Sequence, residues 1–548
     1  MVAGPGTGKT FTAARRIGAI VEHYESAANI EAGQVLCLTF TNAATDVTKK
    51  RLRDLRVNSS NVQVTTLDKF AFFLRAQLQI APSDGLGSYD ENINDIVKAV
   101  KERQKLDYLL GIGHIIVDEA QDIFGTRREL LNLFLSMGLD AGWTVFGDPA
   151  QTIYDYSNED SAGSFLQGLI DQKKFDHLIL EIDHRAQNDD VRKIRSLGKE
   201  LRDPTSGRSG IERLWNSYRD LKGLQPEELV TVAAINSGQS PESVGVLFRT
   251  NREVLKFSHE LAVRGVVHQL LNERKEFLIP EWVANFERLT NKDEVLSVVP
   301  SFIEKELMSF ALEKWCYGRT GKKIFLRKFA EELDAGKIPE IMRTNDTTRY
   351  QLSTVHRVKG MEFDRVYVGL KKNESNENEL EEARILFVGM TRSRKDVYKV
   401  GTDSAVNNSR KNFNKQRWLD MEFKGRNRRV VTGIEVKMSD VNFEKAPKNL
   451  ALGSEVTLRR AGEFEDGLPN FEVLDSIGQT RFATMRSDFC RSVMDEWPDK
   501  IPHCFVGLRI SSFCCIVVPN KYRGAWDEDC FAKVPVIAGM AKPASGES

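Results

Sequence analysis

The chain has 548 residues, 28% of them charged and 41% hydrophobic, and its 78 basic and 78 acidic side chains leave no formal net charge. This is the balance of a folded globular protein long enough for three or four domains. No apolar run reaches the length of a membrane span, and the zero net charge excludes a globally basic chain while leaving room for a local basic groove.

The first element in chain order is Ala3-Gly4-Pro5-Gly6-Thr7-Gly8-Lys9-Thr10, a P-loop with Ala in place of the usual first Gly. Its glycines let the backbone fold round phosphates with N–H groups pointing inward. Lys9 reaches the β- and γ-phosphates and Thr10 supplies a hydroxyl to Mg²⁺. A helix over roughly 11–24 puts its positive N-terminal end on the same anion. Gly4, Gly6, Thr7, Gly8, Lys9 and Thr10 are therefore the expected nucleotide-binding residues. Only Met1-Val2 precede the loop, where a buried parallel strand is needed. Either the first strand is a stub, or the recorded start lies inside a longer reading frame.

Gln34–Thr39, His114–Val117 and Trp143–Phe146 read as buried parallel strands alternating with helices. Asp118-Glu119 stand at the end of the second, where open α/β sheets place their ligands. Asp118 is expected to hold Mg²⁺ through water, and Glu119 to orient or deprotonate an attacking water. Adjacent acids also suit a helix start, but the P-loop upstream and Gln121-Asp122 downstream decide for the nucleotide site. The third strand runs into Gly147-Asp148-Pro149-Ala150-Gln151, which places Gln151 to sense the γ-phosphate. Tyr154 and Tyr156 follow, within reach of a nucleic-acid strand, where stacking contributes ~1–3 kcal/mol per base.

The alternation returns at Ser243–Phe248, Tyr350–Thr354 and Arg365–Gly369, a second α/β lobe. Between them, roughly 269–345 reads as helical, with Glu281–Arg288 and Lys323–Leu333 amphipathic. The segment 410–429 carries Arg410, Lys411, Lys415, Arg417, Lys424, Arg426, Arg428 and Arg429 among Phe413, Trp418 and Phe423. It reads equally as a solvated linker or as a phosphate contact. Beyond it come short alternating runs (Glu455–Arg459, Phe471–Leu474, Phe505–Ile510), a small β-rich module suited to docking a protein partner or nucleic acid. It shows no cluster of acids and lysine at nuclease spacing. The seven cysteines include no Cys-x-x-Cys pair, and plain buried thiols are expected rather than a metal site with His503.

These blocks together resemble superfamily 1A helicases of the UvrD/Rep/PcrA type, over roughly residues 1–400. Leu38-Thr39-Phe40-Thr41-Asn42 and Thr65-Thr66-Leu67-Asp68-Lys69-Phe70 look like the family's strand-contacting motifs. Asp183-His184-Arg185 looks like its Asn-Tyr-Arg, and Val246 to Asn251 like the segment opening its second lobe. Thr354 to Phe363 and Glu381 to Arg392 complete the set. The resemblance implies two RecA-like parallel-sheet P-loop lobes with short helical insertions. It implies a cytoplasmic motor that hydrolyses ATP with Mg²⁺ and moves 3′ to 5′ along single-stranded DNA and at junctions, in repair, recombination or mobile-element defence. By matching position, Arg185 and Arg392 face the γ-phosphate, and His184 and Glu362 bound the nucleoside. Phe40, Thr41, Asn42, Thr66, Tyr154, Tyr156, Thr354 and His356 line the strand path.

On this reading the first lobe spans 1–182 with a short insertion at about 75–112. The second spans 183–405 with a helical insertion at about 269–345, followed by a basic linker at 406–430 and the β-rich module at 431–548. The chain departs from the family in three ways. Asp68 replaces a His, His184 replaces a stacking tyrosine, and the glutamine segment that reads the adenine edge is lacking. Weak purine discrimination follows. The lean insertions point to translocation with poor unwinding as an alternative, and an N-terminally truncated, non-catalytic binding fragment is another. RNA stays open as a substrate, since nothing here reads the 2′-hydroxyl.

Overall fold

The computed structural model describes residues 1–26, 34–58, 60–80, 89–103, 109, 111–137, 140–153, 164–172, 175–202, 207–235, 242–271, 279–301, 303–318, 320–335, 339, 342, 349–372, 379–401, 409–411, 417–423, 429–444, 450–475, 480–518 and 530–544. The chain is mixed α/β and divides into two compact units. One comprises Met1–Leu221, Val358–Val366 and Lys371–Val397; the other comprises Lys222–Arg357, Tyr367–Leu370 and Tyr398–Ser548.

The first unit is built on parallel strands β1 (Val2–Ala3), β2 (Gln34–Thr39), β3 (Val62–Thr66), β4 (Ile112–Val117), β5 (Gly142–Val145) and β6 (Ile179–Leu180). Four of them form a sheet in the order β3-β2-β4-β5, with Cys37 opposite both Val64 and Ile116, and Val117 opposite Val145. The central strands β2 and β4 are mostly apolar in sequence because both of their faces are covered. Leu36, Leu38, Ile115 and Val117 pack in one core with α3 (Leu67–Gln77), α4 (Tyr89–Arg103) and α5 (Gly125–Ser136). Val35, Cys37 and Ile116 face α1 (Lys9–Ser26) through Ala13, Ala14 and Ile17, and Leu52 of α2 (Asn42–Asp54) joins the same core. The strand before the P-loop is Val2–Ala3. It pairs parallel to β6 and bridges Gly147 through Val2, and the Met1 ammonium donates to the Val145 carbonyl at 2.6 Å.

In the second unit, Tyr350–Thr354 lies parallel between Val244–Phe248 and His268–Leu270, within a six-stranded sheet. The helix Asn251–Val263 opens on a capping box, where Thr250 accepts from the Glu253 N–H and Glu253 accepts from that of Thr250. The amphipathic helix expected at 281–288 is instead a 3-10 helix, Glu281–Phe286, with Trp282, Val283 and Phe286 buried. Its apolar residues recur at i and i+3, the period of the tighter turn. The segment expected as helical from Lys323 begins with a two-residue strand and turns helical at Leu326–Asp334.

The last part is antiparallel. Cys504–Val517 and Phe531–Ala544, each 14 residues long, pair with each other, far beyond the short run read from the sequence. Register shifts at Val506/Arg509 and Ile510/Ser512, with Gly507 at φ +89°, break the alternation that a straight strand shows. The hairpin serves two cores. Phe505, Leu508 and Ile510 join one with Phe471, Phe482 and Phe489, while Cys515 and Phe531 join another with Trp282, Trp315 and Phe329. Of the basic segment 410–429, residues 412–416 and 424–428 lie outside the described residues, as do the side chains of Arg410, Lys411, Phe423 and Arg429. Arg417 is not a surface cation. It is buried and donates to both carboxylate oxygens of Asp440, at 2.5 and 2.7 Å.

Candidate nucleotide site

The P-loop joins β1 to α1. Gly6 and Gly8 hold φ of +80° and +85°, conformations that glycine alone adopts without strain. The Thr7 hydroxyl donates to the Gly4 carbonyl at 2.8 Å, and the α1 ladder starts with Thr12 N–H to Gly8. Lys9 is only 8% exposed, with its ammonium donating to the Ala3 carbonyl at 3.1 Å, across the loop it serves. Thr10 follows it in the first turn of α1, and the N–H of His184, whose side chain is exposed, donates to the Gly6 carbonyl at 3.0 Å.

At the end of β4, Asp118 is 1% exposed and its N–H donates to the Leu38 carbonyl. Glu119 stands in the left-handed region, φ 55° and ψ 40°, which costs a non-glycine residue about 1–3 kcal/mol. The turn brings the Ala120 N–H back to the Phe146 carbonyl at 3.0 Å. Gln121, fully buried, donates to Glu119 and to Asp122, and accepts from the Asp148 N–H at 3.0 Å. Gln151 is held on both sides. Its amide N–H donates to Asp148 at 2.7 Å, and its oxygen accepts from Arg392 at 3.0 Å. The Lys359 ammonium donates to Asp122 and to the Gln151 carbonyl. Arg185 pairs with Glu362, which also meets Arg394 at 3.6 Å.

The electrostatics separate the two adjacent acids. Burial pushes the Asp118 carboxyl up to about 7, with the Glu119 charge adding to it and Lys9 and Lys359 opposing. Burial also raises Glu119, but Lys9, Lys359, the Gln121 hydrogen bond and Arg392 together outweigh it and hold the group below the usual carboxylate range. Burial lifts Asp122 to about 6 despite Lys359. Arg392 is lowered to about 10 by burial and by Arg185, and stays charged at neutral pH. The site thus offers one ionised base and one carboxylate short of positive charge.

That shortage is the fit test for Mg²⁺. A buried carboxylate whose proton affinity is raised matches a hard cation that takes few protein ligands and shares the rest with phosphate and water. Among the described residues no group of three or more His, Cys, Asp or Glu gathers as a self-contained metal site. Asp118 and Thr10 would hold the ion, which would neutralise phosphate charge.

The other expected residues divide between the two units. Thr41 and Thr66 act as N-caps, accepting from Ala44 and Lys69 at 3.1 and 3.3 Å, and Phe40 packs against the sheet core. The Asn42 side chain, Tyr154 and Tyr156 lie outside the described residues. Thr354, at a strand end, and the half-buried His356 belong to the second unit. Asp68 is held by Arg127, Nε to Oδ1 at 2.7 Å. Sequence reasoning gave no role to Gln121, Asp122, Asp148 or Lys359, although all four sit inside quoted motifs. Arg195 and Arg202, which also reach the site, carry no sequence signal.

A P-loop on a parallel sheet, with a carboxylate pair, a glutamine and buried arginines gathered in the same unit, is the arrangement expected of a P-loop nucleoside-triphosphate site. Residues 1–81 match the UvrD/REP helicase N-terminal domain and residues 351–400 the UvrD-like helicase C-terminal domain, so the chain carries domains of the UvrD-like helicase family. It is similar to the ATP-dependent DNA helicase UvrD2 of Mycobacterium bovis and of Mycobacterium tuberculosis, 24% identical over 341 residues. The match covers 51% of this chain and 46% of each relative. The chain thus spans about half the length of the curated relatives it matches. No helix among the described residues is long and apolar enough to cross a membrane.

Proposed function

We propose that the chain is a DNA-stimulated ATPase that moves 3′ to 5′ along single-stranded DNA and at junctions. In this reading it has two RecA-like lobes (1–182 and 183–405), a basic linker (406–430) and a C-terminal module (431–548) that docks a protein partner. It works in the cytoplasm on repair, recombination or mobile-element defence. The observation that carries the reading is the hydrogen bond from Arg392 to Gln151. It joins the last family motif to the γ-phosphate sensor within the unit that holds Lys9, Asp118 and Glu119.

In the mechanism, P-loop N–H groups and Lys9 bind the β- and γ-phosphates, and Asp118 and Thr10 would hold Mg²⁺, which would neutralise phosphate charge. Glu119 orients the attacking water and takes its proton. Arg185 and Arg392 stabilise charge on the transferring phosphoryl group. Loss of that group is felt by Gln151, which shares a bond with Arg392 and another with Asp148.

The test is steady-state ATPase with and without a single-stranded oligonucleotide, beside Lys9→Ala. Stimulated turnover that the variant lacks supports the motor. Oligonucleotide binding without turnover in either supports the non-catalytic alternative.

Weak purine discrimination is expected as well. His184 is exposed, and the cavity of about 970 Å³ beside Gly4, Pro5 and Thr7 has His177 as the one aromatic ring among its described lining residues. The kcat/KM ratio for ATP over GTP should stay below about 100, since larger ratios need polar readout of the base. A ratio well above that would point to a recognition device in residues not described.

Asp118→Asn is expected to stabilise the metal-free protein at pH 8. The folded-state pKa of Asp118 is raised from 3.8 to about 7. Its stabilising contribution is therefore present below pH 4 and lost as pH rises through 7. Removing the charge should recover on the order of 2 kcal/mol, a rise in Tm of a few degrees. The gain should shrink by pH 5 while Mg²⁺-dependent turnover is lost. Melting in chelator at both pH values checks this, and an equal shift at each would dissociate it from ionisation.

A further inference from the structure

Two arginines outside every motif stand behind the phosphate cradle on consecutive helices, Asp189–Ser196 and Gly198–Arg202. Arg195 is 5% exposed. Its Nη1 donates to both carboxylate oxygens of Asp183, at 2.9 and 3.1 Å, and its Nη2 to the carbonyls of Thr391 and Ser393. Asp183 also accepts from the N–H groups of Arg185 and Ala186, at 2.9 and 3.1 Å. One guanidinium therefore ties the turn bearing Arg185 to the turn bearing Arg392. Arg202 donates Nε to Asp148 Oδ1 at 2.6 Å and Nη2 to Oδ2 at 3.2 Å, and Asp148 holds Gln151, which holds Arg392.

These contacts close on themselves. From Arg202 the path runs through Asp148, Gln151, Arg392 and the 391–393 backbone to Arg195, and back along the two helices. The P-loop is pressed against the ring at two glycines. A Cβ on Gly4 would stand 2.6 Å from Arg202 Nη2, and one on Gly6 would stand 2.5 Å from Arg195 Nη1. Buried ion pairs are weak sources of stability, and similar-sized apolar residues often serve as well. A ring of charged groups with fixed directions does what apolar packing does not, which is to set the angle of Arg392 and Gln151.

We propose that Arg195 and Arg202 are positioning residues for hydrolysis, acting through Asp183 and Asp148 to hold Arg392 and Gln151 in register with the P-loop. This rests on the reading of the site as an ATPase.

The test compares the full chain with Arg195→Met, Arg202→Met and Asp183→Asn, alone and with Arg392→Ala. It measures single-turnover hydrolysis, the Kd of a fluorescent ATP analogue, and melting. Arg195→Met and Arg202→Met should each lower the hydrolysis rate about 30- to 100-fold, the scale of a displaced catalytic group. Nucleotide Kd should change less than about threefold, because Lys9 and the loop N–H groups are untouched. In the Arg392→Ala background, Arg195→Met should change the rate less than about threefold, since nothing is left to position. Should Arg195→Met fail to fold, Asp183→Asn carries the test. Its amide oxygen keeps the two backbone caps, and a loss of about tenfold is expected from the weakened pair.

Wild-type rates in the folded variants, or the full loss repeated without Arg392, would overturn the positioning role alone. A wild type no faster than Lys9→Ala would overturn the ATPase reading and this proposal with it.

Discussion

Arg392→Ala should lower DNA-stimulated ATP turnover by about 10³-fold or more, the range measured for arginines that neutralise charge on a transferring phosphoryl group. The side chain is 3% exposed and tethered, Nε to the Val388 carbonyl and Nη2 to Gln151, each at 3.0 Å, and Nη2 also to the Thr391 hydroxyl at 3.3 Å. It enters the site with its direction already set. Its removal also strips the buried Gln151 oxygen of that donor, a further cost. Arg392→Lys should recover little, because one ammonium does not reproduce two diverging N–H groups on a planar fork. Nucleotide affinity should fall far less than rate. Rapid-quench turnover beside nucleotide titration separates the two, and matched losses in both would make Arg392 a binding residue only.

Glu119→Gln should leave nucleotide binding intact and slow hydrolysis by about 10²–10⁴, the usual contribution of a placed general base. The Gln121 side chain and the cations Lys9, Lys359 and Arg392 surround the carboxylate and keep it ionised. The amide is nearly isosteric, so the left-handed backbone at this position need not move. The variant should therefore accumulate ATP-bound protein on single-stranded DNA, detectable as slowed release of a labelled oligonucleotide. A variant that hydrolyses at near wild-type rate would transfer the role of base to another group, with Asp122, at about 6, the next buried carboxylate.

Much of this was open to sequence reading for an identifiable reason. Gln34–Thr39 and Tyr350–Thr354 match the observed strands residue for residue; in the first, Val35 to Leu38 form an apolar run with sharp ends, as a strand covered on both faces does. Lys9, Asp118, Glu119 and Gln151 could be named as candidates because each lies in a short contiguous motif whose chemistry needs neighbours in sequence. Arg195 and Arg202 could not. In Arg192-Lys193-Ile194-Arg195-Ser196 the pattern is that of any solvated helix, and only the distant carbonyls of Thr391 and Ser393 show which cation is buried. The same limit hid the N-cap duties of Thr41 and Thr66, where one hydroxyl suits a helix start and a phosphate equally. The long hairpin was cut short in reading because its bulges interrupt the two-residue period on which strand recognition depends.

That hairpin carries a consequence for how the second unit comes apart. One end is wedged among Phe471, Phe482 and Phe489, and the other among Trp282, Trp315 and Phe329. The Phe531 N–H reaches back to Glu287 at 2.7 Å, and Lys533 to Glu281 at 2.8 Å. Melting either cluster frees strands that the other is using, so the two should lose amide-exchange protection together, as a single foldon. A stop codon before Phe531 would then do more than trim a tail. It would remove a shared beam and leave the helical segment around Trp315 without the wall it leans on, some two hundred residues upstream of the cut.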